Sequence, residues 1–249
     1  HVENRIDPLE DIKIINAELA LSDLEILEKN YQKLKKTQKT EDDKKKMSVI
    51  EKAIELISKE QRILNNLDKD EIEYLSIFQL ISIKPVVYVC NVDENSSVNG
   101  NSHTKSIEEY SKLNNSETLL VSAKIESEIS QISDNEEKKM FLDSMGLKET
   151  GLKRVIKKGY ALLNYINFFT AGEKELRAWT ISKGTLAPSA AGEIHTDMEK
   201  GFIRAETISY EDYIEYNGES GAKEKGKLRL EGKEYEVNDG DVMHFLFNV

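Results

Sequence analysis

Cysteine occurs once in the 249 residues, at Cys90, which leaves no basis for a disulfide framework or a thiolate metal cluster. Proline occurs three times, and none of these interrupts the chain between Pro8 and Pro85. No apolar stretch approaches the roughly 18 residues of a membrane span, and no secretory signal is recognisable. The expectation is a protein of the reducing cytoplasm. Two nucleotide-handling motifs are also missing. No Gly-x-x-x-x-Gly-Lys-Ser/Thr loop is present to cradle β- and γ-phosphates. Nor does an Asp-x-x-Gly follow an apolar strand early in the chain to supply an acid on the Mg²⁺ side. The chain opens on His1-Val2 rather than on methionine and is read as a fragment.

Basic residues are outnumbered by acidic ones. The net charge of −11 argues against general adhesion to nucleic acid or to an anionic membrane, and DNA specificity is not expected. With 39% hydrophobic and 33% charged residues, the chain is expected to build a core beneath a highly charged surface, in one large domain or two to three smaller ones. The charge is unevenly spread. Between Lys29 and Arg62 there are 11 Lys and Arg against 6 Asp and Glu, a local reversal of sign.

Asp7-Pro8 opens a helix, with Asp7 as N-cap, Pro8 in the first turn and Glu10 at capping-box spacing. Ile12, Ile15, Leu19, Leu24, Leu27, Tyr31 and Leu34 then form one apolar seam. Met47, Ile50, Ile54 and Ile57, continuing through Leu64 and Leu67, form another. The polar stretch Lys35 to Lys46 separates them, so the two seams predict an antiparallel helical hairpin of coiled-coil type. Its lysines Lys35, Lys36, Lys44, Lys45 and Lys46 have two readings, a solvated face or a basic arm that touches phosphate backbone. Asp70 to Ile83 is expected to be a final helix.

Lys84 to Asn95, KPVVYVCNVDEN, is the stretch with the clearest functional content. The apolar run Val86 to Cys90 predicts a strand buried on both faces. Ligands in open α/β sheets bind beyond the carboxyl ends of such strands, which is where Asn91 and Glu94 fall. The Asn-x-x-Glu pattern resembles the base-reading Asn-Lys-x-Asp of P-loop nucleotidases. Asn95 to Ser106 reads as a loop, with His103 solvent-exposed, and Ile107 to Leu113 as a short helix. Thr118 to Val121 predicts a second strand ending in Ser122-Ala123-Lys124, before a helix carrying Ile125, Ile129 and Ile132. A Ser-Ala-Lys turn at that point packs on the base in P-loop nucleotidases.

Helices follow at Glu136–Ser144 and after Thr150. Beyond Asn164 the texture changes to strands with short helices: Phe168–Thr170, Glu175–Ile181, Phe202–Ser209, Lys227–Leu230, Lys233–Val237 and Val242–Val249 as strands, Ala187–His195 and Tyr210–Tyr216 as helical segments. This predicts an α+β domain of β-grasp character. It holds 10 Lys and Arg against 16 Asp and Glu, so any RNA contact there must be local; Lys223, Lys225, Lys227 and Arg229 are the candidates, with a solvated turn as the other reading. His195 and His244 read as supports of the fold, Trp179 as core.

The blocks Phe168–Gly172, Arg177–Thr180, Ile194–Asp197, Glu199–Glu206 and Asp239–Phe245 resemble the TGS domain of the Obg-like ATPase (YchF) family. Asp7–Ile12, Glu18-Leu19 and Leu21–Leu24 resemble the start of that family's coiled-coil insertion. Lys84–Glu94 and Ser122–Glu126 match its base-binding half. The resemblance implies α/β plus α+β architecture: a partial P-loop nucleotidase sheet (1–18 and 81–164), interrupted by a coiled-coil hairpin (19–80), then a TGS domain (165–249). It implies a ribosome-associated ATPase of the translation-factor class, with ATP and Mg²⁺ bound by the full-length protein and the catalytic groups upstream of this chain. The base site would be Asn91, Val92, Glu94, Ser122, Ala123 and Lys124, with no metal ligand here, and the fragment alone would be inactive. The partner would be the ribosome or ribosomal RNA. The other function class in view is a non-enzymatic RNA- or ribosome-binding module built from coiled coil and TGS domain.

Overall fold

A computed structural model describes residues 6–37, 40–59, 63–172 and 175–248. His1 to Arg5, Lys39 and Arg62 of the basic stretch, and Val249 of the expected last strand lie outside the described residues. The chain divides into two compact units, His1–Ile156 and Lys157–Val249.

In the first unit, α1 (Pro8–Thr37) is one continuous helix of 30 residues, as the absence of an internal proline allows. Asp7 Oδ1 accepts from the Glu10 amide at 3.1 Å and satisfies one of the donors left over at the helix start. Thr40 then caps α2 (Glu41–Ser58) in a reciprocal capping box with Asp43. Leu27 meets Ile50, Ala53, Leu56 and Ile57 in a buried cluster, while Ile15, placed on the seam by its spacing, is 52% exposed.

Two helix ends differ from the sequence expectation. The second seam does not continue as helix: α2 stops at Ser58, and Ile63 enters the core from a 3₁₀ turn, Ile63–Asn65. The expected helix from Asp70 to Ile83 is only α3 (Lys69–Ser76). Gln79 adopts a left-handed φ of 54°, which breaks the helix and turns the chain back towards α1. There the Ile81 and Ser82 amides donate to the carboxylate of Asp23 at 2.9 and 2.7 Å. Asp23 is fully buried and lies at four-residue spacing between Leu19 and Leu27.

β1 (Val87–Asn91) and β2 (Glu117–Val121) pair in parallel, Asn91 opposite Val121. Between them runs α4 (Ser102–Leu113), longer than expected because Asn101 and Thr104 form a capping box inside the Asn/Ser-rich stretch. His103 is exposed on its first turn. β1 is not buried on both faces, since Val89 is 48% exposed. The side-chain amide of Asn16 donates to the hydroxyls of Tyr88 at 3.3 Å and Tyr110 at 3.1 Å, tying α1 to β1 and α4. α5 (Ala123–Gln131) and α6 (Asn135–Ser144) bury Ile125 and Ile129 against Leu147. α7 (Gly151–Leu162) follows, its Lys153 amide held by Thr150 Oγ1 at 3.1 Å.

The second unit contains β3 (Tyr165–Ala171), β4 (Leu176–Ser182), α8 (Ala187–Ile194), α9 (Thr196–Lys200), β5 (Phe202–Ile208), α10 (Tyr210–Glu215), α11 (Glu219–Glu224), β6 (Arg229–Glu231) and β7 (Val242–Phe247). The strands form one mixed sheet in the order β4-β3-β7-β5-β6, with β3 and β7 parallel at its centre and the other pairs antiparallel. Phe168, Ile181, Phe202, Met243 and Phe245 pack with Ala187, Ala190 and Ala191 of α8. Trp179 lies at the margin of this core, stacked on Phe168 and donating its Nε1–H to Thr170 Oγ1 at 3.0 Å. The expected strand Lys233–Val237 reduces to a single bridge, Glu236 with Leu186. Asp241, 3% exposed, instead organises that stretch, accepting from the Tyr235 hydroxyl at 2.7 Å and the Asn238 amide at 2.9 Å. The short helices α9 and α11 carry too few apolar repeats to register as periodicity.

Candidate functional site at the strand ends

Parallel pairing brings the ends of β1 and β2 side by side, and with them two motifs some 30 residues apart in the chain. The Val92 amide donates to the Val121 carbonyl at 2.9 Å, extending the ladder one step past the strands. Asn91 Oδ1 accepts from the Ala123 backbone amide at 3.1 Å. That bond spends one lone pair of the amide oxygen; its second lone pair and two N–H donors have no partner among the described residues. Asp93 Oδ1 caps the turn Glu94–Ser96 by accepting from the Ser96 amide at 2.9 Å, which fixes where Glu94 stands.

Glu94 and Lys124 form an ion pair, Lys124 Nζ donating to Glu94 Oε1. This bond holds the Glu94 carboxyl below its ordinary range and raises the Lys124 ammonium above its own, so both are ionised at neutral pH. Ser122 is the N-cap residue of α5, yet its side chain makes no cap bond. It is 3% exposed, and its hydroxyl is buried without a hydrogen-bond partner among the described residues. Such a group costs free energy unless something else satisfies it. All six residues expected at the base site, Asn91, Val92, Glu94, Ser122, Ala123 and Lys124, therefore lie together at the carboxyl ends of β1 and β2. Among the described residues there is no group of three His, Cys, Asp or Glu side chains placed to hold a metal ion.

Two supporting residues were not singled out by sequence reasoning as part of the site. Glu126 accepts from the Gly151 and Leu152 amides at 2.6 and 3.0 Å, capping α7 from α5. Gly151 allows this approach: a Cβ there would stand 2.8 Å from Val121 Cγ1, on the residue just before Ser122. Asp23 fixes the segment that leads into β1. The available signal for Asp23 was a charge on the apolar seam, in line with Leu19 and Leu27; for Glu126 it was its place at the end of the Ser122–Glu126 block, which gave it no role of its own.

The basic candidates are not equivalent. Lys44 pairs with Glu41 at 2.6 Å and Lys46 with Asp42 at 2.5 Å, both within the first turns of α2. Lys35, Lys36 and Lys45 are exposed, with no recorded ion pair among the described residues. In the second unit Lys227 pairs with Asp212 at 3.1 Å, and Arg229 is held by Glu231 and Asp241 at 3.0 and 3.3 Å. Lys223 and Lys225 are exposed at the end of α11. His195 Nδ1 accepts from the Asp197 amide at 3.2 Å and caps α9, and His244 is an exposed residue of β7. No helix among the described residues is long and apolar enough to cross a membrane.

Residues 165–248 match the family described as YchF-GTPase_C, a protein of unknown function (DUF933). Over its whole length the chain is 50% identical to a protein of Haemophilus influenzae named ribosome-binding ATPase YchF, covering 69% of it. It is 45% identical to the protein of that name from Bacillus subtilis, again covering 69%. The solved structure of the Schizosaccharomyces pombe YchF GTPase superposes with a TM-score of 0.86 at 33% identity, over 99% of this chain and 68% of that one.

Proposed function

The chain belongs to the YchF family, and from that premise we propose that it is part of a ribosome-associated ATPase and supplies the half of the nucleotide site that reads the base. The observation that carries this reading is the meeting of Asn91 with Ser122–Lys124 at the carboxyl ends of two parallel strands. Adenine offers a donor at N6 and an acceptor at N7, and a carboxamide meets both at once. The free lone pair and N–H groups of Asn91 fit that edge, and the Ser122 hydroxyl is a polar group in need of a partner. ATP is thus compatible with the residues present. A Mg²⁺ ion is not matched by any cluster of His, Cys, Asp or Glu among the described residues. The phosphate-binding and hydrolytic groups belong, in this reading, to the part of the relatives' length that the chain does not span.

Asn91→Ala in the full-length protein is expected to raise the Kd for ATP about tenfold, the loss of one good bidentate contact. Calorimetry that finds the affinity unchanged overturns the base-reading role.

The remaining assignments follow the same premise. α1 and α2 are the coiled-coil insertion, and the sheet order of the second unit, with its first and last strands parallel at the centre, supports a β-grasp TGS domain. The ribosome, through protein or RNA, is the partner, and the cytoplasm the compartment. If the hairpin is a basic arm, its contacts are Lys35, Lys36 and Lys45 rather than the lysines already paired within α2. Reversing those three charges is expected to weaken co-sedimentation with ribosomes and to flatten its salt dependence. Unaltered sedimentation would assign them to a solvated face.

A further inference from the structure

The curated relatives are named ATPase and the solved fungal relative GTPase, so the choice of base is the point on which the site has most to say. Guanine differs from adenine in presenting N–H donors at N1 and at the 2-amino group, and a site that takes guanine answers them with a carboxylate. An ionised carboxylate is a pure acceptor, and its value to guanine depends on its oxygens being free. The carboxylate that follows Asn91 here is Glu94, and one of the two oxygens that would face guanine's two donors, Oε1, is engaged by Lys124. Its backbone is pinned: Asp93 caps the turn, and the Glu94 carbonyl accepts from the Ser97 amide at 3.3 Å and the Ser97 hydroxyl at 2.7 Å. Its side chain is held by Lys124 from the neighbouring motif.

Lys124 is itself positioned by the site. It is the second residue of α5, the helix whose first residue, Ala123, donates its amide to Asn91. One turn therefore sets both the orientation of the base-reading amide and the cation that occupies Glu94. We propose that Lys124 is a specificity-determining residue, which excludes guanine by holding the Glu94 carboxylate in an ion pair. Resting on the base-site reading above, this assigns the rejection of guanine to the pair rather than to Glu94 alone. For guanine to meet both carboxylate oxygens with its two donors, the pair must open and leave an ammonium beside those donors, a repulsive element of the kind that creates specificity. Adenine makes no demand on Glu94 and leaves the pair closed.

The test compares ATP and GTP by calorimetry on the full-length protein. Lys124→Met, which keeps the side-chain bulk and removes the charge, is expected to narrow the ATP-over-GTP ratio about tenfold, chiefly through tighter GTP binding. Lys124→Arg, which retains a cation for Glu94, is expected to keep the wild-type ratio. Adding Glu94→Gln to Lys124→Met is expected to abolish the gain, because the amide cannot replace the freed carboxylate. Both side chains are partly exposed, at 66% for Lys124 and 32% for Glu94, so the variants are expected to fold. A wild-type preference for ATP that survives Lys124→Met unchanged overturns the role of Lys124 and leaves the base site standing. Equal wild-type affinity for the two nucleotides overturns the base-site reading and the Lys124 role together.

Discussion

Phe168→Ala is expected to destabilise the second unit by about 4 kcal/mol, the usual range for emptying a large aromatic site in a core. Phe168 is fully buried on β3, stacked on Trp179 at 6.4 Å between ring centroids and perpendicular to Phe245 at 5.8 Å. β3 is flanked by β4 and β7, so its neighbours are held by sheet hydrogen bonds and cannot move in to fill the space. Across the core stand Ala187, Ala190 and Ala191, whose side chains have no rotamer to offer the cavity. Trp179 is the only tryptophan, and it reports on this site directly. Its fluorescence in a urea titration should show the midpoint of the unit falling with the slope unchanged. A midpoint equal to that of the parent protein would mean that the stacking and burial at Phe168 contribute nothing to stability.

Asp23→Ala should cost about 3 kcal/mol, since two hydrogen bonds to a charged acceptor are lost and two amides are left without it. The carboxylate is fully buried in α1 and receives Ile81 and Ser82 from 58 and 59 residues away. These amides precede β1 by a few residues, so the loss frees the lead into the strand whose last residue is Asn91. Asp23→Asn retains one acceptor oxygen and should cost less. The decisive measurement is amide hydrogen exchange: Ile81 and Ser82 should lose protection in Asp23→Ala while β7 of the second unit keeps its own. Protection at both amides equal to the parent would show that the carboxylate is not what holds them.

Much of the architecture could be read from local pattern. Apolar seams at three- and four-residue spacing marked α1 and α2, and a proline-free interval let α1 run its full length. Apolar runs ending in polar motifs marked β1 and β2, and the order of those motifs marked the site. Where the pattern misled, the cause was a competing interaction. Ile57 and Leu67 of the second seam are buried together, with Ile63 rather than Leu64 between them, because burial does not require a continuous helix. The Asn/Ser-rich stretch after Asn95 looked like loop because those residues favour turns, yet Asn101 used its side chain to cap α4. The stretch around Tyr235 alternates like a strand, but the Asp241 carboxylate takes its hydroxyl and the neighbouring amide and turns it into a clasp.

The long helices, the strands β1 and β2, the family and the six residues at the strand ends were legible in the sequence, because periodicity and short motifs are properties of neighbours along the chain. The short helices α9 and α11 and the fate of Lys233–Val237 were not. The tertiary structure alone decided what those residues do to one another. That Asn91 meets Ala123, that Lys124 closes on Glu94 and that Asp23 holds Ile81 and Ser82 are contacts across 30 to 59 residues. Neither partner in such a contact carries a local mark of the other; only the parallel register of β1 with β2 and the return of the chain to α1 bring them within bonding distance.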